Sequence, residues 1–334
     1  MDSNQRFPIN MRGKSRMKKI LASLWVLLCF LLADAPLLHA QKTRLTIALQ
    51  DSPDMLPTLV AEHSGYFSRE GIETRPVVFR SGVQLMQSVI GGDAQIGVCS
   101  APEPIQAVGA GAKIKVPWGN SNLMPFAVVS RAEIRTIQDL KGKKIAISSP
   151  GSLTDFLTRY VLKNKGLEPA QVSLLSIGGV STRFAALMSG GVDASLISAA
   201  YFPRAKESKL NFLLMLSDVI PEWPLSVICV REEMLGPREA EFRLFLKSYL
   251  QGLARLKADR QAGIQALRKG LRFDDKTAAE AYDAYVKSFP NDGHVAEKGM
   301  EMMFEQMLDS GTIKKKLSLA DVIDYRFQKE MQPR

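Results

Sequence analysis

The sequence predicts an α/β protein built from two similar lobes. Three observations carry this: a repeated strand and helix phrase, an alternation of strand-like and helix-like segments, and a helical C-terminal region. The phrase occurs at Ser88–Ser100 (SVIGGDAQIGVCS) and again at Ser189–Ser198 (SGGVDASLIS). Each copy reads as a helix stopped by paired glycines, an acidic turn, a short apolar strand and a serine where the strand ends. The echo extends backward, with Leu45–Pro53 (LTIALQDSP) matching Lys144–Pro150 (KIAISSP). Two copies of a strand, helix, strand, helix, strand unit place two lobes side by side, with a cleft between them.

In the first unit a strand over Leu45–Leu49 leads to a helix over 55–70, where Leu56, Leu59, Val60, His63 and Phe67 recur near helical spacing. A strand over 76–79, a helix over 81–90 and a strand over 95–99 complete it. The second unit gives strands over 144–147, 172–176 and 194–197, with helices over 153–163 and 182–189. The runs 126–129 (FAVV) and 225–230 (LSVICV) are strand-like and stand where the chain would cross between lobes and return. Beyond Met234 the pattern is helical: 238–257, 277–289 with a capping box of Thr277 and Glu280, 295–308, and 318–328 with a second box of Ser318 and Asp321. The resulting partition is a first lobe over 41–122, a second over 123–227, and 228–334 as the return crossover with C-terminal helices packing on the first lobe.

The first 40 residues read as a secretory signal peptide. Arg12, Lys14, Arg16, Lys18 and Lys19 precede an apolar run from Ile20 to Ala33, and Leu38-His39-Ala40 stands before Gln41. The run falls short of the roughly 20 residues of a membrane span and is followed by Asp34 and Pro36; a retained anchor is the alternative. Leu27 and Leu28 precede Cys29 where a lipoprotein signal wants small residues. The expected location is the periplasm. Of the formal charge of +10, six basic and two acidic groups lie within those 40 residues, leaving +6 without a basic block apart from Lys314–Lys316. Nucleic-acid binding needs a clustered stripe and a recognition motif, so no nucleic-acid partner is expected. Cys99 and Cys229 lie in apolar strand-like runs and read as buried free thiols, although an oxidising compartment permits one disulfide.

Four phrases carry a family resemblance: Gly65–Glu73 (GYFSREGIE), Asp139–Ile147 (DLKGKKIAI), Ala186–Ala194 (ALMSGGVDA) and Ala320–Phe327 (ADVIDYRF). Together they resemble the solute-binding proteins of ABC importers for nitrate, sulfonates, taurine and thiamine-precursor pyrimidines, over residues 44–327. The resemblance implies the two-lobed periplasmic binding protein type II fold, with two α/β lobes joined by hinge strands. It also implies a protein that closes on a small solute and docks on a membrane permease; for this chain a monomer without catalysis, cofactor or metal is expected.

In open α/β sheets, ligands collect beyond the carboxyl ends of strands, where helix N-termini present unpaired N–H groups. In the first lobe those positions are Gln50, Asp51 and Ser52, then Arg80, Ser81 and Gly82, then Ser100 with Ala101. In the second they are Ser148, Ser149, Gly151, Ser152 and Thr154, then Gly179 and Ser181, then Ser198 with Ala199. Serine with glycine suits close backbone approach and short hydroxyl contacts, and the family's loops fall at the same places. Each residue has a competing structural use. Ser81 with Gln84 and Ser152 with Asp155 have capping-box spacing. Asp51 is a turn residue or the partner of a ligand amine, and Glu103 complements a helix dipole. Arg80 or Arg183 suits a sulfonate or carboxylate, or else a surface ion pair. Trp118, Tyr201 and Trp223 stack on a flat ligand or pack in the core.

Enzymatic readings find little support. His63 and His294, the histidines beyond residue 40, have no Cys or carboxylate partners at metal-ligand spacing. Neither a phosphate-binding P-loop nor a Gly-x-Ser-x-Gly elbow is present. The alternatives left are a cofactor-free lyase or dehydratase using a carboxylate such as Asp51 as base, and a periplasmic receptor for a sensor. The leading expectation is an importer receptor for a small polar organic solute: a sulfonate, nitrate, carboxylate or pyrimidine-like compound.

Overall fold

The computed structural model describes residues 43–220 and 223–330; the expected export signal and Cys29 lie outside the described residues. From Thr43 onward the chain forms one compact unit. It runs β1 (Thr43–Gln50), α1 (Leu56–His63), α2 (Tyr66–Arg69), β2 (Ile72–Phe79), α3 (Gly82–Gly91), β3 (Ile96–Ser100), α4 (Pro102–Gly109) and β4 (Ile114–Ser121). The second lobe follows with β5 (Phe126–Ser130), β6 (Lys144–Ile147), α5 (Leu153–Asn164), β7 (Ser173–Ser176), α6 (Val180–Met188), β8 (Ala194–Ser198), α7 (Phe202–Glu207) and β9 (Asn211–Met215). The chain returns in β10 (Ser226–Arg231) and continues through α8 (Glu239–Ala258), α9 (Arg260–Leu271), α10 (Asp275–Tyr285), α11 (Glu297–Asp309), α12 (Leu319–Val322) and α13 (Arg326–Glu330). Among the described residues no helix is long and apolar enough to cross a membrane.

The strands form two five-stranded sheets, ordered β2-β1-β3-β10-β4 and β7-β6-β8-β5-β9. Both follow one plan: three parallel strands, then an antiparallel strand, then an edge strand antiparallel to that one. The antiparallel strand is in each case the one that follows a crossing between the lobes. Thus β10 occupies in the first sheet the place β5 occupies in the second. Every residue of β5 is buried, as are the first five of β10, which is why both read as continuous apolar runs rather than alternating ones.

Several elements differ from expectation. The helix over 55–70 is broken at Gly65, whose φ of 70° separates α1 from α2 and suits glycine because it lacks a Cβ. Pro117 and Gly119 argue against a central strand over β4; it lies at a sheet edge, where a proline is tolerated, and an isolated bridge from Val116 to Ile323 covers it. The edge strand β9 and the helix α9 are further elements beyond the sequence expectation. α10 is capped by Asp274, whose carboxylate accepts the Thr277 N–H at 2.8 Å, rather than by a Thr277 and Glu280 box. The Ser318 and Asp321 box is present, but its helix ends at Val322 and α13 starts afresh at Arg326.

The C-terminal helices pack on the first lobe through aromatic contacts: Phe327 stands 4.8 Å from Phe242, and Phe245 stacks on Phe67 at 5.6 Å. α8 also lies close against α1. A Cβ on Gly252 would stand 2.5 Å from the Pro57 carbonyl oxygen and 2.7 Å from the Ala61 nitrogen. Backbone atoms cannot swing aside, so Gly252→Ala is expected to destabilise by about 1–3 kcal/mol, although alanine is the better helix former. The denaturant midpoint reads this; an unchanged or higher midpoint would mean that the two helices part freely.

Candidate binding cleft

Residues from the ends of six strands line a single cavity between the lobes. Gln50, Asp51 and Ser52 follow or end β1, Arg80 follows β2, and Ser100 ends β3; Ser148 and Thr154 follow β6, Gly179 follows β7, and Ser198 ends β8. Phe126, Leu153, Val180, Arg183, Leu225 and Asp54 complete the wall. The cavity measures about 30 Å³, room for roughly one or two waters.

The other sequence-derived candidates stand around that cavity rather than on it. Ser81 stands at the N-cap position of α3, but its hydroxyl makes no capping hydrogen bond; its Oγ meets Ser149 Oγ across the lobes at 2.7 Å. The Gly151 carbonyl accepts from Gln106 Nε2 at 2.7 Å, a second contact between lobes. Ser152 is fully buried and accepts the Asp155 N–H at 3.4 Å, so it does cap its own helix. Gly82 lies against Glu103, where a Cβ would fall 2.1 Å from Oε1. Ala101 is buried, Ser181 is exposed, and the Ala199 N–H donates to Pro125 O at 2.7 Å.

Local hydrogen bonds fix the lining. Gln50 Oε1 accepts from both Ser100 N–H at 3.0 Å and Ser100 Oγ at 2.9 Å. The Ser148 N–H donates to Thr154 Oγ1 at 2.8 Å. Arg183 is only 3% exposed; its Nη1 donates to Gly178 O at 2.6 Å and its Nη2 to Leu196 O at 3.3 Å, while Nε has no partner. Burial lowers its pKa to about 10, and Asp51 partly opposes that shift. Burial raises the carboxyl pKa of Asp51, against the pull of Arg80 and Arg183. Asp54, 2% exposed, is raised by burial as well, and its Oδ1 has no hydrogen-bond partner. The cavity therefore sets two carboxylates against two guanidiniums, able to meet both signs of charge on one small molecule.

Glu103 exceeds its expected role. It does lie in the first turn of α4, but it is buried, and its Oε1 accepts the Leu153 N–H at the start of α5 in the opposite lobe at 3.4 Å. Burial pushes its pKa up to about 8, outweighing hydrogen bonds from its own backbone and from Leu153. The aromatic candidates belong to the core: Trp118 and Trp223 are fully buried, Trp223 against Phe156 at 5.9 Å, and Tyr201 packs on Phe184 at 4.9 Å. Cys99 and Cys229 are buried and free in this structure.

A family model described as NMT1/THI5 like matches residues 52–262 of the 334. The chain belongs to the NMT1/THI5-like family. No curated protein matches it significantly by sequence. Several solved structures share its fold. The alkanesulfonate-binding protein SsuA from Xanthomonas axonopodis pv. citri, bound to MOPS, is 18% identical, with 85% of this chain and 98% of that one covered and a TM-score of 0.70. The ligand-binding component of an ABC-type import system from Staphylococcus aureus, with zinc bound, is 13% identical over 87% and 99%, with a TM-score of 0.72. The periplasmic nitrate-binding protein NrtA from Synechocystis PCC 6803 is 11% identical over 86% and 88%, with a TM-score of 0.69. The fold of this NMT1/THI5-like chain is thus the periplasmic binding protein fold. Among the described residues of the NMT1/THI5-like chain, no three His, Cys, Asp or Glu side chains lie together as metal ligands.

Proposed function

We propose that this chain is the extracytoplasmic substrate-binding protein of an ABC importer. It captures a small polar organic solute by closing its two lobes and delivers it to a membrane permease. The carrying observation is the pairing of strand-end loops from both lobes around one cavity that holds both carboxylates and guanidiniums. A cavity of about 30 Å³ lies far below the roughly 300–1,000 Å³ of small-molecule sites, so the lobes must part to admit a solute and close again around it. A solute touching both lobes favours the closed arrangement by its differential affinity, and the permease reads that arrangement. Asp51, Asp54, Arg80 and Arg183 supply the charged contacts, and the chain acts as a monomer in the periplasm after residues 1–40 direct its export. The class of solute is a sulfonate, nitrate, carboxylate or pyrimidine-like compound.

A thermal-shift screen over sulfonates, nitrate, aromatic and aliphatic carboxylates, amines and pyrimidines tests this. At 100 times its dissociation constant a hit should stabilise the fold by about 2.7 kcal/mol, and it should be recovered chemically unchanged. Conversion of the hit to product by the pure protein would replace the transport reading with a lyase or dehydratase.

A further inference from the structure

β3 and β10 run antiparallel in the first sheet, with Cys99 opposite Val227 and Cys229 opposite Gly97. This register puts both cysteines on one face of the sheet, at diagonal positions. Diagonal neighbours across such a pair ordinarily stand about 7–8 Å apart, too far for short side chains to meet. Gly97 removes the obstacle. It has no side chain, and Cys229 Sγ lies 2.7 Å from the place its Cβ would take. The sulfur that fills this gap reaches to 3.3 Å from Cys99 Sγ. Both residues are fully buried, and burial with the neighbouring thiol raises the Cys99 pKa well above its ordinary value. In the folded protein this thiol is held neutral and away from solvent, so its chemistry belongs to the folding chain.

We propose that Cys99 and Cys229 join as a disulfide while the chain folds in an oxidising environment. The oxidant is a low-molecular-mass or enzyme-borne disulfide. One cysteine thiolate attacks it, forming a mixed disulfide and expelling the first thiol. The second cysteine attacks the mixed disulfide at the protein sulfur, forming the internal S–S bond and expelling the second thiol. Two cysteine thiols are oxidised, one external disulfide is reduced to two thiols, and the cysteine protons end on those leaving thiols. The bond closes a loop between positions 130 apart, one that contains the whole second lobe, and it ties the returning strand to the strand that ends at Ser100. Ser226, the first residue of the tethered strand, receives a hydrogen bond from Asn120 Nδ2 at 2.7 Å, so the cross-link secures the strands that back the cleft. This inference does not depend on the transport reading.

The test is a thiol count on the full chain, refolded from the reduced, denatured state in a glutathione redox buffer. The product is then denatured without reductant and treated with a maleimide. The expected result is a single label, on Cys29, an intact mass before labelling about 2 Da below the fully reduced chain, and a digest containing a Cys99–Cys229 linked peptide. Prior reduction should restore three labels and lower Tm by about 10 °C. Protein taken from an oxidising compartment without reductant should give the same pairing. Thiol labelling of both Cys99 and Cys229 in either preparation, or a cross-link from Cys29 to one of them, would overturn the proposal.

Discussion

Replacing Gly179 with valine (Gly179→Val) is expected to hold the lobes apart and remove tight capture while leaving the free protein folded. Gly179 is buried at the start of α6, and a Cβ there would stand 2.3 Å from Asp51 Oδ2 and 3.2 Å from Asp51 Cγ in the opposite lobe. Its φ of −59° is open to any residue, so the substitution strains nothing within its own lobe. The penalty falls on the closed interface alone. Rotation of the short Asp51 side chain would relieve a single methyl group; a branched side chain leaves it no room beside a cavity of about 30 Å³. Overpacking of this kind costs about 1–3 kcal/mol, which at the upper end weakens a closure-dependent ligand about 100-fold. Calorimetry with a hit from the thermal-shift screen reads the affinity, and solution scattering reads closure. The variant should stay folded without ligand and, with ligand added, keep a larger radius of gyration than the ligand-bound parent. Parental affinity together with normal contraction would remove this contact from the capture mechanism.

How legible this outcome was differs from residue to residue. The duplicated loops were legible because their glycines answer a backbone demand: Gly92 and Gly190 stand at φ of 87° and 76°, where other residues are strained. The strand-end positions were legible for a similar reason, since parallel strands followed by helices bring loop residues such as Ser52, Ser148 and Ser198 to one edge. What escaped depends on the second lobe arriving. Ser81 has the spacing of a helix cap, and only the approach of Ser149, 68 positions away, gives its hydroxyl another partner. Asp54 and Glu103 each sit beside a proline in a first helical turn, where an acid ordinarily complements the dipole in solvent. Nothing local marks them as buried. Trp118 and Trp223 were ambiguous because loop and edge-strand signals, including Pro117 and Gly119, surround or precede them, yet both side chains are enclosed.

Glu103 leads to the second large expected effect, a loss of stability as pH rises, which Glu103→Gln should largely remove. Glu103 is 3% exposed, its Oε2 has no hydrogen-bond partner, and its Oε1 has the Leu153 N–H of the other lobe at 3.4 Å. Burial dominates and lifts the pKa from 4.5 to about 8, with Asp54 adding to the rise. The folded state therefore holds this proton more tightly than the unfolded state does. The contribution is complete below about pH 4.5, declines as pH rises from there, and is gone above about pH 8. The difference between the two pKa values corresponds to at most about 5 kcal/mol. Asp51 and Asp54 are also raised by burial and leave a residual slope of the same sign, whereas Arg183, at about 10, titrates above this window. Glutamine preserves an acceptor for Leu153 and carries no charge at any pH. Urea midpoints at pH 5, 6.5 and 8.5 should therefore fall steeply for the parent and much less for the variant, which should be the more stable protein at pH 8.5. Because the carboxylate is buried against the opposite lobe, opening the cleft offers a second way to escape the cost. The parent's radius of gyration should then grow between pH 5 and pH 8.5 while that of the Glu103→Gln protein stays constant. Parallel pH profiles in both measurements would mean that Glu103 reaches water in the folded protein and that its contact with Leu153 does not hold the lobes together.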